Sequence, residues 1–126
     1  STIAIATVLG AQIETVLTLA PRSVTSPIAM GIAEQVGGIP SLAAGLVLLT
    51  GSIGCALGPL LFRLMGIRDP GVQGFTLGLA AHGFGTAHAF ARIGAVAGAF
   101  SGLAMALTGL LTAFLLPLLV KAFGLG

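Results

Sequence analysis

A chain of 126 residues that is 56% hydrophobic and only 6% charged cannot dress a soluble surface, for which roughly a quarter of residues are charged. Its mean hydropathy of +1.15 places it in a bilayer as an integral membrane protein. The net charge of +2 comes from Arg22, Arg63, Arg68, Arg92 and Lys121 against Glu14, Glu34 and Asp69. That scatter excludes a nucleic-acid footprint, and the lone Cys55 excludes an intrachain disulfide framework or a cysteine-rich metal site.

Residues 3–20 are apolar and long enough to cross a bilayer, about 18 residues at 1.5 Å each. They carry Gln12 and Glu14 near their middle. A carboxylate at that depth is costly unless protonated, paired or hydrated. Glu14 is therefore either a satisfied helix contact or part of a polar path with Gln12 and Gln73. The first residues, Ser-Thr-Ile, show no initiator Met and no basic signal-peptide region, so the chain reads as a fragment or a processed product.

Pro21 ends or kinks the first span. Arg22-Ser-Val-Thr-Ser26 follows, and Pro27 suits the first turn of a new helix with Ser26 as its N-cap. That helix runs to about Val36 and closes on Gly37-Gly38. Residues 40–63 form the clearest span, with no charged residue from Ile39 to Phe62. Gly51, Gly54 and Gly58 recur on one of its faces and read as a packing surface. Arg63 and Arg68 flank a polar connection and argue for the cytoplasmic side. Asp69 caps a helix that opens on Pro70. Residues 71–81 form a short helix, broken at His82-Gly83-Phe84-Gly85. A second short helix spans about 86–92, and residues 95–120 are another uninterrupted span before Lys121.

The chain repeats itself. Residues 50–66 (TGSIGCALGPLLFRLMG) match residues 108–124 (TGLLTAFLLPLLVKAFG) at Thr50/Thr108, Gly51/Gly109, Leu57/Leu115, Pro59/Pro117, Leu60/Leu118, Leu61/Leu119 and Gly66/Gly124, while Arg63 meets Lys121. Upstream, Gln12 pairs with Gln73, Thr15 with Thr76 and Thr25 with Thr86. The expectation is an all-α polytopic membrane protein, a single membrane domain over 1–126. It holds two repeated units, about 10–66 and 71–124, each a broken helix plus a full transmembrane helix. If each unit crosses twice, Arg63 and Lys121 share a face and the repeats are parallel; re-entrant segments would change that count.

Paired broken helices point to a transporter's substrate site. A break in lipid frees backbone groups that water, protein or ligand must satisfy. Half-helix N-termini, expected at Ser26-Pro27 and at Thr86, favour an anion. The candidate substrate-binding residues are Arg22, Ser23, Thr25, Ser26, His82, Gly83, Gly85, Thr86 and His88, with the two breaks facing each other. Each has a blander reading: Arg22 snorkelling to headgroups or pairing with Glu14 or Glu34, and the hydroxyls acting as caps. The histidines, six apart and without a Cys or acidic partner, do not suit a metal, and a proton carried by one of them is the alternative. HGFGT follows no strand and is not a dinucleotide fingerprint. No Ser-His-acid spacing appears, so an enzyme is not expected.

Six motifs carry a resemblance: LAPRSVTSPIAM (19–30), EQVGGIPSL (34–42), TGSIGCALGPLL (50–61), GIRDPGVQGF (66–75), AHGFGTAHA (81–89) and GAFSGLAMALTGLLTA (98–113). Together they look like the C-terminal part of the LrgB/CidB family, antiholin-like membrane proteins to which the plastid glycolate/glycerate translocator is related. The resemblance implies upstream helices absent here, the bacterial inner membrane, and one of two functions. One is transport of small carboxylates of the glycolate, glycerate or pyruvate class. Arg22 would hold the carboxylate, the half-helix N-termini would share its charge, and a proton or sodium ion is the coupling ion left open. The other is regulation of murein hydrolase export and autolysis with a small holin-like partner. No cofactor is implied, and a homodimer is expected.

Overall fold

The computed structural model describes residues 5, 6 and 8–124, and all their regular structure is helical. The elements are α1 (Ile13–Leu19), α2 (Ser26–Val36), α3 (Pro40–Met65), α4 (Pro70–His88), a π-wound turn (Ala89–Ile93) and α5 (Ala95–Ala122). The chain forms two compact units, one of Ser1–Val47 with Gly109–Gly126 and one of Leu48–Thr108.

The first expected span is not one helix. Gly10 takes φ +75, a left-handed conformation open to glycine, and Gln12 is extended at ψ 147. Helix resumes only at Ile13, so Gln12 is an N-cap rather than a mid-span residue. α3 and α5 are the two helices long and apolar enough to cross a membrane among the described residues. At 26 and 28 residues they extend about 39 and 42 Å against a hydrocarbon core of about 30 Å. Only 17% and 22% of their most apolar windows are buried inside the chain. A core helix of a soluble protein would be mostly buried, so these faces are apolar surface left for lipid or another membrane helix.

The first unit is built on the apolar stripe of α2. Ala29, Ile32, Ala33 and Val36 recur at i, i+3, i+4 and i+7 and pack with Leu17, Val24, Ala43 and Val47. The end of α5 contributes Val120, with Ala113 and Leu116 alongside. Thr18, fully buried, holds two parts of the unit together. Its Oγ1 donates to the Glu14 carbonyl at 2.7 Å and accepts from the Ile39 N–H at 2.8 Å. Gly38 lies against it so closely that a Cβ would sit 2.9 Å from the Thr18 nitrogen.

In the second unit the small residues establish the direction of each segment. On α3, Gly58 meets Leu77, Gly54 meets Ala80, and Gly51 meets Ala81 and Phe84, so α3 and the start of α4 run antiparallel. Gly74 abuts Ala97 and Gly78 abuts Ser101, so that same arm runs parallel to α5. Beyond His82 the order inverts. Thr86 Oγ1 lies 2.9 Å from Ser101 Oγ and Phe90 packs on Gly98, so this arm runs antiparallel to α5. Gly85 returns against the Leu77 carbonyl, although eight residues span about 12 Å in a straight helix. α4 is therefore a helical hairpin that reverses at His82, where φ is 49 and ψ is −124. Its arms, 70–81 and 83–93, are each about 17 Å long, half a hydrocarbon core. The stretch between α3 and α5 thus doubles back on itself instead of running on in one direction.

Candidate functional site

The residues singled out from sequence fall into four places. Arg22, Ser23, Thr25 and Ser26 lie in the first unit, in the turn joining α1 to α2. The turn is tight: the Arg22 N–H donates to the Leu19 carbonyl and the Val24 N–H to the Pro21 carbonyl, both at 3.3 Å. Pro21 and Val24 are buried, Arg22 is half-buried and engaged within the chain, and Ser23 is exposed. The cap of α2 is Thr25 rather than Ser26, and its side chain makes no capping hydrogen bond. Its hydroxyl leaves the first turn of α2 uncapped. Ser26 and Pro27 are the first two helical residues.

His82, Gly83, Gly85 and Thr86 lie at the tip of the hairpin in the second unit. His82 is buried, and its ring lies against α3 where a Cβ on Gly51 would be 3.7 Å from Nδ1. Its backbone sits where glycine is strongly preferred, a conformation costing a bulkier residue about 1–3 kcal/mol. The second arm starts at Gly83, directly after the reversal, and not at Thr86. Thr86 has a different task. Its hydroxyl bonds the His82 carbonyl at 2.9 Å, meets Ser101 Oγ at 2.9 Å and lies 4.0 Å from Met105 Sδ. This network ties the arm below the tip to α5. Gly85 is the point of closest approach between the arms, while a Cβ on Gly83 would meet open space.

His88 lies about 9 Å further along the second arm. It lines an open cavity at the mouth of the hairpin together with Gln73 and Arg92. Gln73 donates from Nε2 to the Ile67 carbonyl at 2.7 Å, which fastens the connection between α3 and α4. Gln12 and Glu14 are exposed, at the cap and first turn of α1. Among the described residues no group of His, Cys, Asp and Glu could hold a metal ion.

Two buried hydroxyls escaped the sequence reading, Thr18 and Ser101. Their signal was an isolated hydroxyl inside an apolar run, which does not by itself say whether a partner exists.

The model of the LrgB-like family matches residues 1–122. The holin-like protein CidB of Staphylococcus epidermidis is 34% identical over 116 residues, covering 92% of this chain and 50% of that protein. Two Bacillus subtilis proteins without an assigned role, YwbG and YxaC, are 40% identical over 103 residues and 37% over 114. They are covered to 45% and 49% of their lengths, against 82% and 90% of this chain. The chain thus spans about half the length of the curated relatives it matches. No solved structure matches it.

Proposed function

This chain belongs to the LrgB-like family, and on that premise we propose that it is part of a holin-like membrane protein of the bacterial cytoplasmic membrane. Its activity is antiholin-like regulation: with a small holin-like membrane partner it controls murein hydrolase export and autolysis. The observation that carries this reading is the family match over 1–122 together with relatives named holin-like. The poorly buried faces of α3 and α5 supply the apolar surface that such a partner, or a second copy in a homodimer, would cover. Deleting the complete gene and measuring hydrolase activity in culture supernatant, with co-purification of the small partner, tests it. Unchanged hydrolase release and no co-purifying small membrane protein would refute it.

A second reading has its own support in the hairpin. A re-entrant segment with a strained residue at its tip is an arrangement that carriers place at the substrate. Because α4 returns to the side it entered from, α5 runs opposite to α3. The matched stretches 50–66 and 108–124 are alike in sequence. Both stretches end on a left-handed glycine, Gly66 at φ +70 and Gly124 at φ +64. In this reading the protein carries small carboxylates of the glycolate, glycerate or pyruvate class, driven by a proton or sodium ion. Arg22 with the uncapped start of α2, and the arm N-terminus at Gly83, are its anion-favouring features. Uptake of labelled glycolate and pyruvate into proteoliposomes by the complete protein and by Arg22→Ala tests it. Absence of uptake removes the carrier reading; full uptake by the variant removes Arg22 from it.

A further inference from the structure

The cavity at the mouth of the hairpin is unlike the rest of this molecule. It has a volume of about 690 Å³, lies wholly within the second unit, and is lined by Arg63, Arg68 and Arg92 with His88 and Gln73. Three of the chain's five cationic residues therefore open onto one space. They reach it from separate elements: Arg63 from the last turn of α3, Arg68 from the connection, and Arg92 from the π-wound turn. Among the described residues no carboxylate lines it. The nearest acid in sequence, Asp69, is committed elsewhere, accepting the Val72 N–H at 2.8 Å as the cap of α4. Among the described residues none of the three arginines makes an ion pair.

The walls are held in place before any ligand arrives. The Ile67 N–H donates to the Phe62 carbonyl at 2.9 Å, and the Gln73 amide holds the Ile67 carbonyl. The Gly94 N–H closes onto the Ala89 carbonyl, five residues back, and so fixes the turn that presents Arg92. On the inner side the floor is apolar, with Phe62, Ile67 and Ile93 at the edge of the unit's core.

Arginines at helix ends are commonly a flanking charge that orients a protein in the bilayer. These three are exposed, yet they border one cavity from three separate elements with no counter-charge among its described lining, which simple flanking does not require. We infer that the cavity is a binding site for a phosphate-bearing anion. Arginine forks match phosphate oxygens bidentately. Position favours one source of that phosphate. The cavity sits where α3 ends, α5 begins and both hairpin arms open, which is the level of lipid headgroups, and basic pockets between membrane helices hold anionic headgroups there. The apolar floor suits the glycerol and first methylenes of such a lipid. The inference rests on the membrane setting of α3 and α5, and on neither reading of the protein's function.

The test uses the complete protein purified in an uncharged detergent. Thermal unfolding is followed while dioctanoyl phosphatidylglycerol, dioctanoyl phosphatidylcholine or inorganic phosphate is titrated. Phosphatidylglycerol is expected to raise the unfolding temperature saturably, and phosphatidylcholine to have little effect. Each arginine near an anionic headgroup contributes about five-fold in affinity, so Arg63→Gln with Arg92→Gln should weaken binding about 25-fold. If inorganic phosphate saturates the same response and the double variant loses it, the ligand is a soluble phosphate and the site stands. If neither phosphatidylglycerol nor inorganic phosphate acts saturably, or the double variant responds like the native protein, the inference is overturned. Should the double variant not fold, Arg68→Gln in the exposed connection decides, and unchanged affinity there refutes the site.

Discussion

Replacing Gly78 by alanine tests the hairpin at one of its closest backbone contacts. A Cβ there would lie 2.9 Å from both the Cα and the carbonyl carbon of Ser101, with the carbonyl oxygen nearer still. Carbon atoms pack best at about 3.5–4.0 Å, so the first arm and α5 must separate by about 1 Å. A gap of that size forfeits up to about half of the local dispersion energy. Overpacking of this kind costs about 1–3 kcal/mol. Alanine recovers about 1 kcal/mol as a better helix former than glycine. The net expectation is a loss of up to about 2 kcal/mol, with no soft side chain able to yield, because the obstruction is backbone. Gly83→Ala is the matched control. It lies on the same hairpin with open space around its would-be Cβ, and so should be neutral or stabilising by up to about 1 kcal/mol. The assay is unfolding of the complete protein in mixed detergent micelles, comparing both variants with the native chain. A Gly78→Ala protein as stable as Gly83→Ala would refute the close packing of this arm on α5, and with it the direction assigned to the hairpin.

Other perturbations follow from named bonds. Thr18→Val leaves the Ile39 N–H without its acceptor at 2.8 Å and should cost about 2 kcal/mol, while Thr18→Ser should recover most of it in the same unfolding assay. Asp69→Ala removes the cap on Val72 and should cost about 1 kcal/mol, with Asp69→Asn nearly native. At His82, a β-branched side chain cannot adopt φ 49, so His82→Val should be less stable than His82→Gly by about 2 kcal/mol; the reverse order would move the reversal away from His82. In a Cys55→Ser background, Arg68→Cys and Ala91→Cys should react with an impermeant thiol reagent from the same side of the membrane. Labelling from opposite sides would mean that α4 crosses.

What could be read from the sequence was what neighbours decide. The spans of α3 and α5 announce themselves because almost thirty consecutive residues in each region lack a pattern that water could accept. Asp69-Pro70 and Gly37 mark helix ends through bonds made within a turn. The glycines of α3 were legible as a packing face, although not what they pack on. The reversal at His82 was legible only as a break. Its sense depends on Gly74 with Ala97, Gly78 with Ser101, and Thr86 with Ser101, pairs fifteen or more residues apart. Gly10 was missed because a lone glycine in an apolar run is ordinarily tolerated as helix. The basic cavity was hidden for the same reason as the reversal. Arg63 and Arg68 read as a flank and His88 as part of the break, until the folding back of α4 brings His88 and Arg92 to where α3 ends.

The two compact units are joined by helix and not by loop. α3 carries the chain out of the first unit between Val47 and Leu48, and α5 brings it back between Thr108 and Gly109. Cutting the chain in the connection after Gly66 would therefore not liberate a unit. Each fragment would keep one long helix serving both units, and neither would hold a complete core. The fragments should be inert apart and should regain structure only when expressed together.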